Sequence, residues 1–157
     1  VVTLAPHLTE LVYAAGAGER IVGTVDTSDW PPAARGIPRL GDVARLDVER
    51  LLALRPDLVL AWGDGTPAEQ LATLERLRLP VRRVPATVES LGALFGTQAV
   101  AGPAAARLRT ELAALRARHA GAARLRVFYQ VWSAPLYTLG GPHVVTEMLR
   151  VCGADNV

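Results

Sequence analysis

Short apolar runs rich in β-branched residues alternate along this chain with apolar positions at helical spacing. Val1 to Leu4 predicts a buried strand ended by Ala5-Pro6, and Leu8, Leu11, Val12 and Ala15 then mark one face of a helix that stops at Gly16. Ile21 to Val25 predicts a second strand. It leads into Asp26-Thr27-Ser28-Asp29-Trp30-Pro31-Pro32, whose prolines exclude a regular element. Asp47 is placed to cap a short helix bearing Val48, Leu51, Leu52 and Leu54. Arg55-Pro56-Asp57 breaks that helix ahead of Leu58 to Trp62, a continuous apolar run suited to a strand covered on both faces.

Thr66 as cap, Pro67 at the first helical position and Glu69 three residues after the cap predict the next helix, with Leu71, Leu74 and Leu77 as its buried stripe. Val81 to Val84 is again strand-like. Thr87 then caps the longest helical stretch, which runs to about His119 with a break expected at Gly102-Pro103. Leu125 to Val131 resumes strand character, and His143 to Val151 is helical. The alternation predicts an α/β fold: a mainly parallel, Rossmann-like sheet with helices on both faces. The strand and helix after the long helical stretch read as the start of a second α/β unit, whose remainder is expected outside this sequence.

Composition narrows the function classes. With 157 residues, half of them hydrophobic, the chain can bury a sizeable core. Its 17 basic and 15 acidic residues nearly cancel, so nothing electrostatic points to a nucleic-acid surface. Every basic side chain is arginine, and those from Arg107 to Arg118 read as a solvated helix face. The single Cys152 excludes an internal disulfide and a multi-thiolate metal site; it is expected as a small buried group near a helix end. No apolar stretch is long enough to cross a bilayer.

In an open parallel sheet, ligands collect where loops leave the carboxyl ends of the strands. The segments expected there are Ala5 to Glu10, Thr24 to Pro32, Trp62 to Thr66, Pro85 to Thr87 and Val131 to Leu139. Three of them hold a tryptophan, Trp30, Trp62 or Trp132, and Tyr137 joins the last, in a chain with only 5% aromatic residues. Such placement predicts a wide, flat, apolar binding surface. Trp62 adjoins Gly63-Asp64-Gly65, where missing side chains let a bulky ligand approach the backbone. His7 is the only histidine in an expected site loop, while His119 and His143 sit at helix ends.

Catalytic motifs are not evident. A phosphate-gripping loop needs a lysine, and the chain has none. Gly16-Ala17-Gly18 lacks the third glycine of a dinucleotide fingerprint and follows a helix instead of a strand. No serine occupies a nucleophile elbow, and the three histidines are too scattered to share a metal. An enzyme on this sheet would need a convergent acid, base or nucleophile; the expected strand ends offer only the isolated Asp26, Asp29 and Asp64.

Several blocks, taken in order, resemble the helical-backbone receptors for cobalamin, haem and ferric siderophores, the substrate-binding proteins of ABC importers. They are Val2-Thr3-Leu4-Ala5-Pro6 with Thr9-Glu10-Leu11, Val22-Gly23, Ser28-Asp29-Trp30-Pro31-Pro32, Leu51 to Val59, Val127-Phe128-Tyr129-Gln130, and Val151-Cys152-Gly153-Ala154-Asp155-Asn156. The resemblance covers essentially the whole chain. It implies a two-lobe receptor joined by a rigid helix, with residues 1–86 as the amino-terminal ligand lobe, 87–120 as the linking helical segment and 121–157 as the beginning of the carboxyl-terminal lobe.

It also implies a monomer without catalytic residues or cofactor, periplasmic or extracytoplasmic once a leader is removed. Such a receptor hands a corrinoid, foremost cobalamin, or alternatively haem or a ferric siderophore, to a permease and ATPase complex. The ligand-binding set expected here is Pro6, His7, Thr27, Trp30, Trp62, Gly63, Gly65 and Trp132; of these, Trp62 with its adjoining glycines matches a ligand-facing loop of the family, and Glu69 resembles the amino-lobe glutamate that docks on permease arginines. One departure stands out. The aromatic that stacks on cobalamin in the second-strand loop of the family falls at Thr27, with Trp30 close by to supply the contact or with another tetrapyrrole or an iron chelate as cargo.

Overall fold

The computed structural model describes residues 1–42, 45–63, 65–84, 87–139 and 143–157, with the side chains of Val84 and Trp132 outside the description. Asp64, Pro85 and Ala86, which fall in expected site loops, also lie outside it. The chain divides into two compact units, Val1–Ala105 and Ala106–Val157.

The first unit is built on a four-stranded parallel sheet of order β2-β1-β3-β4. Its strands are β1 (Val2–Thr3), β2 (Gly23–Thr24), β3 (Val59–Trp62) and β4 (Val81–Val84), the first two shorter than their apolar runs. Helices α1 (Pro6–Ala14), α2 (Val48–Ala53), α3 (Ala68–Arg76) and α4 (Val88–Phe95) surround it. Because successive side chains along a strand point to opposite faces, β3 feeds two cores. Leu60 packs with Leu8 and Val12 of α1 and Leu91 and Phe95 of α4. Val59 and Ala61 turn the other way, joining Val2, Leu4, Leu51 of α2, and Leu71 and Leu74 of α3. Both cores are apolar, so helices cover both faces of the sheet, as the continuous apolar run of β3 predicts.

Local signals account for most boundaries. The Asp47 carboxylate accepts from the Arg50 backbone N–H at 2.9 Å and starts α2. Thr87 and Ser90 form a reciprocal capping box that starts α4. Two expectations fail here. The break in the long helical stretch falls at Gly96, which caps α4 at φ +68°, and α5 (Gln98–His119) then passes through Gly102-Pro103 without interruption. A left-handed residue ends a helix outright, and Thr97 N–H closes that end on the Gly92 carbonyl at 2.8 Å. Proline near the start of a helix forfeits only one backbone bond. Thr66 does not cap α3: the cap position is Pro67, and Thr66 N–H instead closes a tight turn on the Trp62 carbonyl at 3.1 Å.

The second unit carries the rest of α5, a parallel pair of β5 (Leu125–Val127) with β8 (Ala154–Asn156), an antiparallel hairpin of β6 (Gln130–Ser133) with β7 (Leu136–Thr138), and α6 (Val144–Val151). The expected single strand Leu125 to Val131 is thus split in two, because Gln130 onward turns into the hairpin. Trp132, expected in a loop, sits within β6. Cys152 lies at the end of α6 as expected but is exposed, contrary to expectation. His143 caps α6, its Nδ1 accepting from the Val145 N–H at 3.2 Å. No helix among the described residues is long and apolar enough to cross a membrane.

Candidate functional site

The strand order places three site loops side by side. All four strands of the first unit are parallel, so the segments leaving β2, β1 and β3 emerge at one end of the sheet in that spatial order. They carry Thr27 and Trp30, Pro6 and His7, and Gly63 and Gly65 respectively, with Trp62 as the last residue of β3. Pro6 occupies the first turn of α1, where its missing N–H costs nothing and its fixed φ suits the helix.

Trp62 is 45% exposed although it ends the central apolar strand. Its indole lies against the backbone of Gly65: a Cβ there would come within 1.9 Å of the ring. No other residue type fits at Gly65 without moving the indole. His7 meets the same indole edge to face, with ring centroids 5.0 Å apart and planes at 83°. Partial burial lowers the His7 pKa, the Glu10 charge opposing the shift, so the imidazole is neutral at physiological pH. Tertiary structure therefore joins His7, Trp62 and Gly65 into one cluster.

Trp30 is 59% exposed on the neighbouring loop, joined to Pro31 by a cis peptide bond, and Thr27 and Gly63 are exposed as well. Among the described residues, no hydrogen bond or ring contact links Trp30 to His7 or Trp62. Trp132 belongs to the second unit. Glu69 is exposed in the first turn of α3, where it lines a groove with Arg45, Val48, Pro67, Gln70 and Thr73. A carboxylate there is favoured by the helix dipole and remains available to a cationic partner.

The loop bearing Trp30 is held by residues that the sequence pattern did not single out. Four buried hydroxyls meet beneath it: Thr3 and Thr9 at 2.7 Å, Thr3 and Thr24 at 2.9 Å, Thr9 and Thr24 at 2.8 Å, and Thr24 and Ser28 at 2.8 Å. They tie β1, α1, β2 and the Trp30 segment together at one point. Arg39 completes the hold, Nη1 donating to the Val25 and Ser28 carbonyls at 3.0 and 2.7 Å and Nη2 to Ala34 at 3.2 Å. The available signal was a hydroxyl at positions where the strand and helix patterns demand burial; Arg39, between Pro38 and Leu40, had none. Among the described residues no three His, Cys, Asp or Glu side chains cluster to hold a metal ion.

Comparison with known proteins agrees with this geometry. The family model for periplasmic binding proteins matches residues 1–157. The vitamin B12-binding protein of Vibrio vulnificus (strain YJ016) is 33% identical over 165 residues, covering 100% of this chain and 60% of that protein. That of Pectobacterium carotovorum is 35% identical over 169 residues, with the same 100% and 60% coverage. The solved periplasmic vitamin B12 binding protein of Vibrio cholerae shares 34% identity at a TM-score of 0.85, with 99% of this chain and 64% of that one covered. A periplasmic haem-binding protein from Roseiflexus sp. RS-1 gives a TM-score of 0.82 at 26% identity, covering 99% and 64%. The chain spans about 60% of the length of the curated relatives it matches. Matched by that family model from Val1 to Val157, the chain belongs to the periplasmic binding protein family.

Proposed function

We propose that this chain serves in a periplasmic substrate-binding protein of an ABC importer that captures cobalamin or a related corrinoid and passes it to a membrane permease driven by an ATPase. On this reading residues 1–86 form the ligand-binding lobe, 87–120 the linking segment and 121–157 the beginning of the second lobe. Cargo rests on Pro6, His7, Thr27, Trp30, Trp62, Gly63 and Gly65, and Glu69 docks on the permease. Binding needs apolar stacking and a few polar contacts, with no covalent step and no catalytic base.

The observation that carries the reading is the half-exposed Trp62 indole, laid on the bare backbone of Gly65 and braced by His7 at the carboxyl ends of the central strands. An exposed tryptophan at the end of an otherwise buried strand costs apolar hydration that a flat ligand recovers. The vitamin B12-binding relatives, at 33% and 35% identity, support the corrinoid over other cargo. Haem is the second reading, supported by Thr27 where a stacking aromatic is expected and by the likeness to the Roseiflexus haem-binding protein.

Calorimetric and spectroscopic titration with cobalamin, haemin and a ferric siderophore tests it. Saturable cobalamin binding that weakens about tenfold in Trp62→Ala, about 1.4 kcal/mol, is the expected result. Saturable binding of haemin alone would move the cargo to haem; binding of none would remove the receptor reading.

A further inference from the structure

The segment from Val25 to Ala34, which carries Thr27 and Trp30, closes around one cation. Arg39 Nη1 donates to the Val25 and Ser28 carbonyls at 3.0 and 2.7 Å, and Nη2 to the Ala34 carbonyl at 3.2 Å. Carbonyls from both sides of Trp30 thus converge on a single guanidinium, whose planar fork reaches several acceptors in fixed directions as a lysine ammonium does not. The backbone that carries Arg39 is itself fixed beside β2: Thr24 N–H donates to the Pro38 carbonyl at 3.0 Å, and Leu40 N–H to the Thr24 carbonyl at 2.9 Å. No described carboxylate forms an ion pair with Arg39, so these backbone carbonyls are its partners.

Trp30 depends on this hold. It is 59% exposed, and among the described residues no hydrogen bond or ring contact fixes it directly, so the backbone on either side sets where the indole stands. Ser28, two residues earlier, is 1% exposed, and Arg39 is the one described hydrogen-bond donor to its carbonyl. The Val25 and Ala34 carbonyls each keep a second bond, from Ser28 N–H at 3.1 Å and Ile37 N–H at 3.2 Å. Without the guanidinium the Ser28 carbonyl is buried and unsatisfied, a state that a short shift of the chain relieves. The Ser28 hydroxyl remains tied to Thr24 at 2.8 Å, which confines that shift to the part beyond Ser28, where Trp30 lies. Resting on the receptor reading above, we propose that Arg39 is a positioning residue for cargo capture: it acts through Trp30 by holding residues 26–34 in their binding shape before the ligand arrives. A segment ordered in advance adds affinity because binding no longer has to order it.

The test is a double-mutant cycle on cargo affinity, with cyanocobalamin as the probe and haemin in its place if wild type binds haemin alone. Arg39→Ala is expected to lower affinity about tenfold. In a Trp30→Ala background the same substitution changes affinity by no more than about twofold, because the indole it positions is gone; in a Trp62→Ala background its loss persists in full. A general structural role would weaken binding alike in both backgrounds. Hydrogen exchange is the second readout: in Arg39→Ala, residues 26–34 lose protection in the free protein and regain it with cargo, while in wild type they are protected in both states. Should Arg39→Ala fail to fold, Arg39→Lys, which keeps the charge and loses the fork, runs the same cycle with an expected loss of about fivefold. Affinity within about twofold of wild type in the variant used, equal losses in the two backgrounds, or unchanged affinity in Trp30→Ala overturns the proposal and leaves the receptor reading standing. Failure of wild type to bind either probe overturns both.

Discussion

The two compact units use their apolar residues in opposite ways. In Val1–Ala105 the sheet is sandwiched: Leu4, Leu8, Leu51, Leu60, Leu71, Leu74 and Leu91 are all at most 2% exposed. In Ala106–Val157, Leu125, Leu136, Val144 and Met148 are each more than 60% exposed, and the buried hydrophobic residue among those described is Ala154. Order in the second unit comes largely from polar staples. Arg124 grips the Asp155 carboxylate with two bonds of 2.8 and 2.7 Å and the Ala154 carbonyl at 3.0 Å, pinning the start of β5 to β8. Asn156 donates to the Leu139 carbonyl at 2.8 Å and to Thr146 at 3.1 Å. The lesson is that an amphipathic pattern states which face wants covering, whereas stability arises only where a partner surface arrives.

The sharpest way to break this contrast is truncation of one leucine in each unit. Leu60→Ala is expected to destabilise the first unit by about 2–5 kcal/mol, since it empties a filled core position. Leu136→Ala in the exposed hairpin should stay within about 0.5 kcal/mol. Urea unfolding followed by circular dichroism measures both, and equal effects would dissolve the distinction between the units.

A smaller effect is expected from Thr24→Val, which keeps the shape and removes one hydroxyl from the buried ring. Thr3, Thr9 and Ser28 then lose bonds in a dry site, costing about 1–3 kcal/mol. The Trp30 segment should lose hydrogen-exchange protection while the second unit keeps its own. Next comes Gly65→Ala. Its methyl would overlap the Trp62 ring, so the indole must move off its backbone seat, and a shifted tryptophan emission with stability changed by about 1 kcal/mol or less is expected. Unchanged emission would show that the indole is not held where the structure places it.

The smallest effect is acid-dependent and confined to the second unit. Hydrogen bonding from Arg124 holds the Asp155 carboxyl below its ordinary pKa, with Arg150 adding to the shift. A depressed carboxylate favours the folded form above its unfolded pKa, and that contribution is lost as pH falls through the lower folded value. Hydrogen exchange in β5 and β8 should therefore rise below about pH 4 in wild type and lose this dependence in Asp155→Asn. Both groups are well exposed, so the gain is modest and screened by salt.

Much of this protein was written in its linear pattern. Continuous apolar character in Leu58 to Trp62 foretold a strand with helices on both sides, because a period-two element without polar positions has no face to give to water. Asp47 and Thr87 announced helix starts through bonds made within a few residues. Trp62 beside glycines marked a candidate site for an equally local reason. Where signals competed, local reading failed: proline was weighted over glycine at the α4–α5 junction, and Thr66 was read as a cap when a turn around Gly65 had claimed it. What only the tertiary structure decided are the meetings across the chain: His7 against Trp62, four hydroxyls from four segments, and Arg39 on three carbonyls. Those depend on which strands lie side by side, a choice made by the sum of the core and invisible in any single stretch of residues.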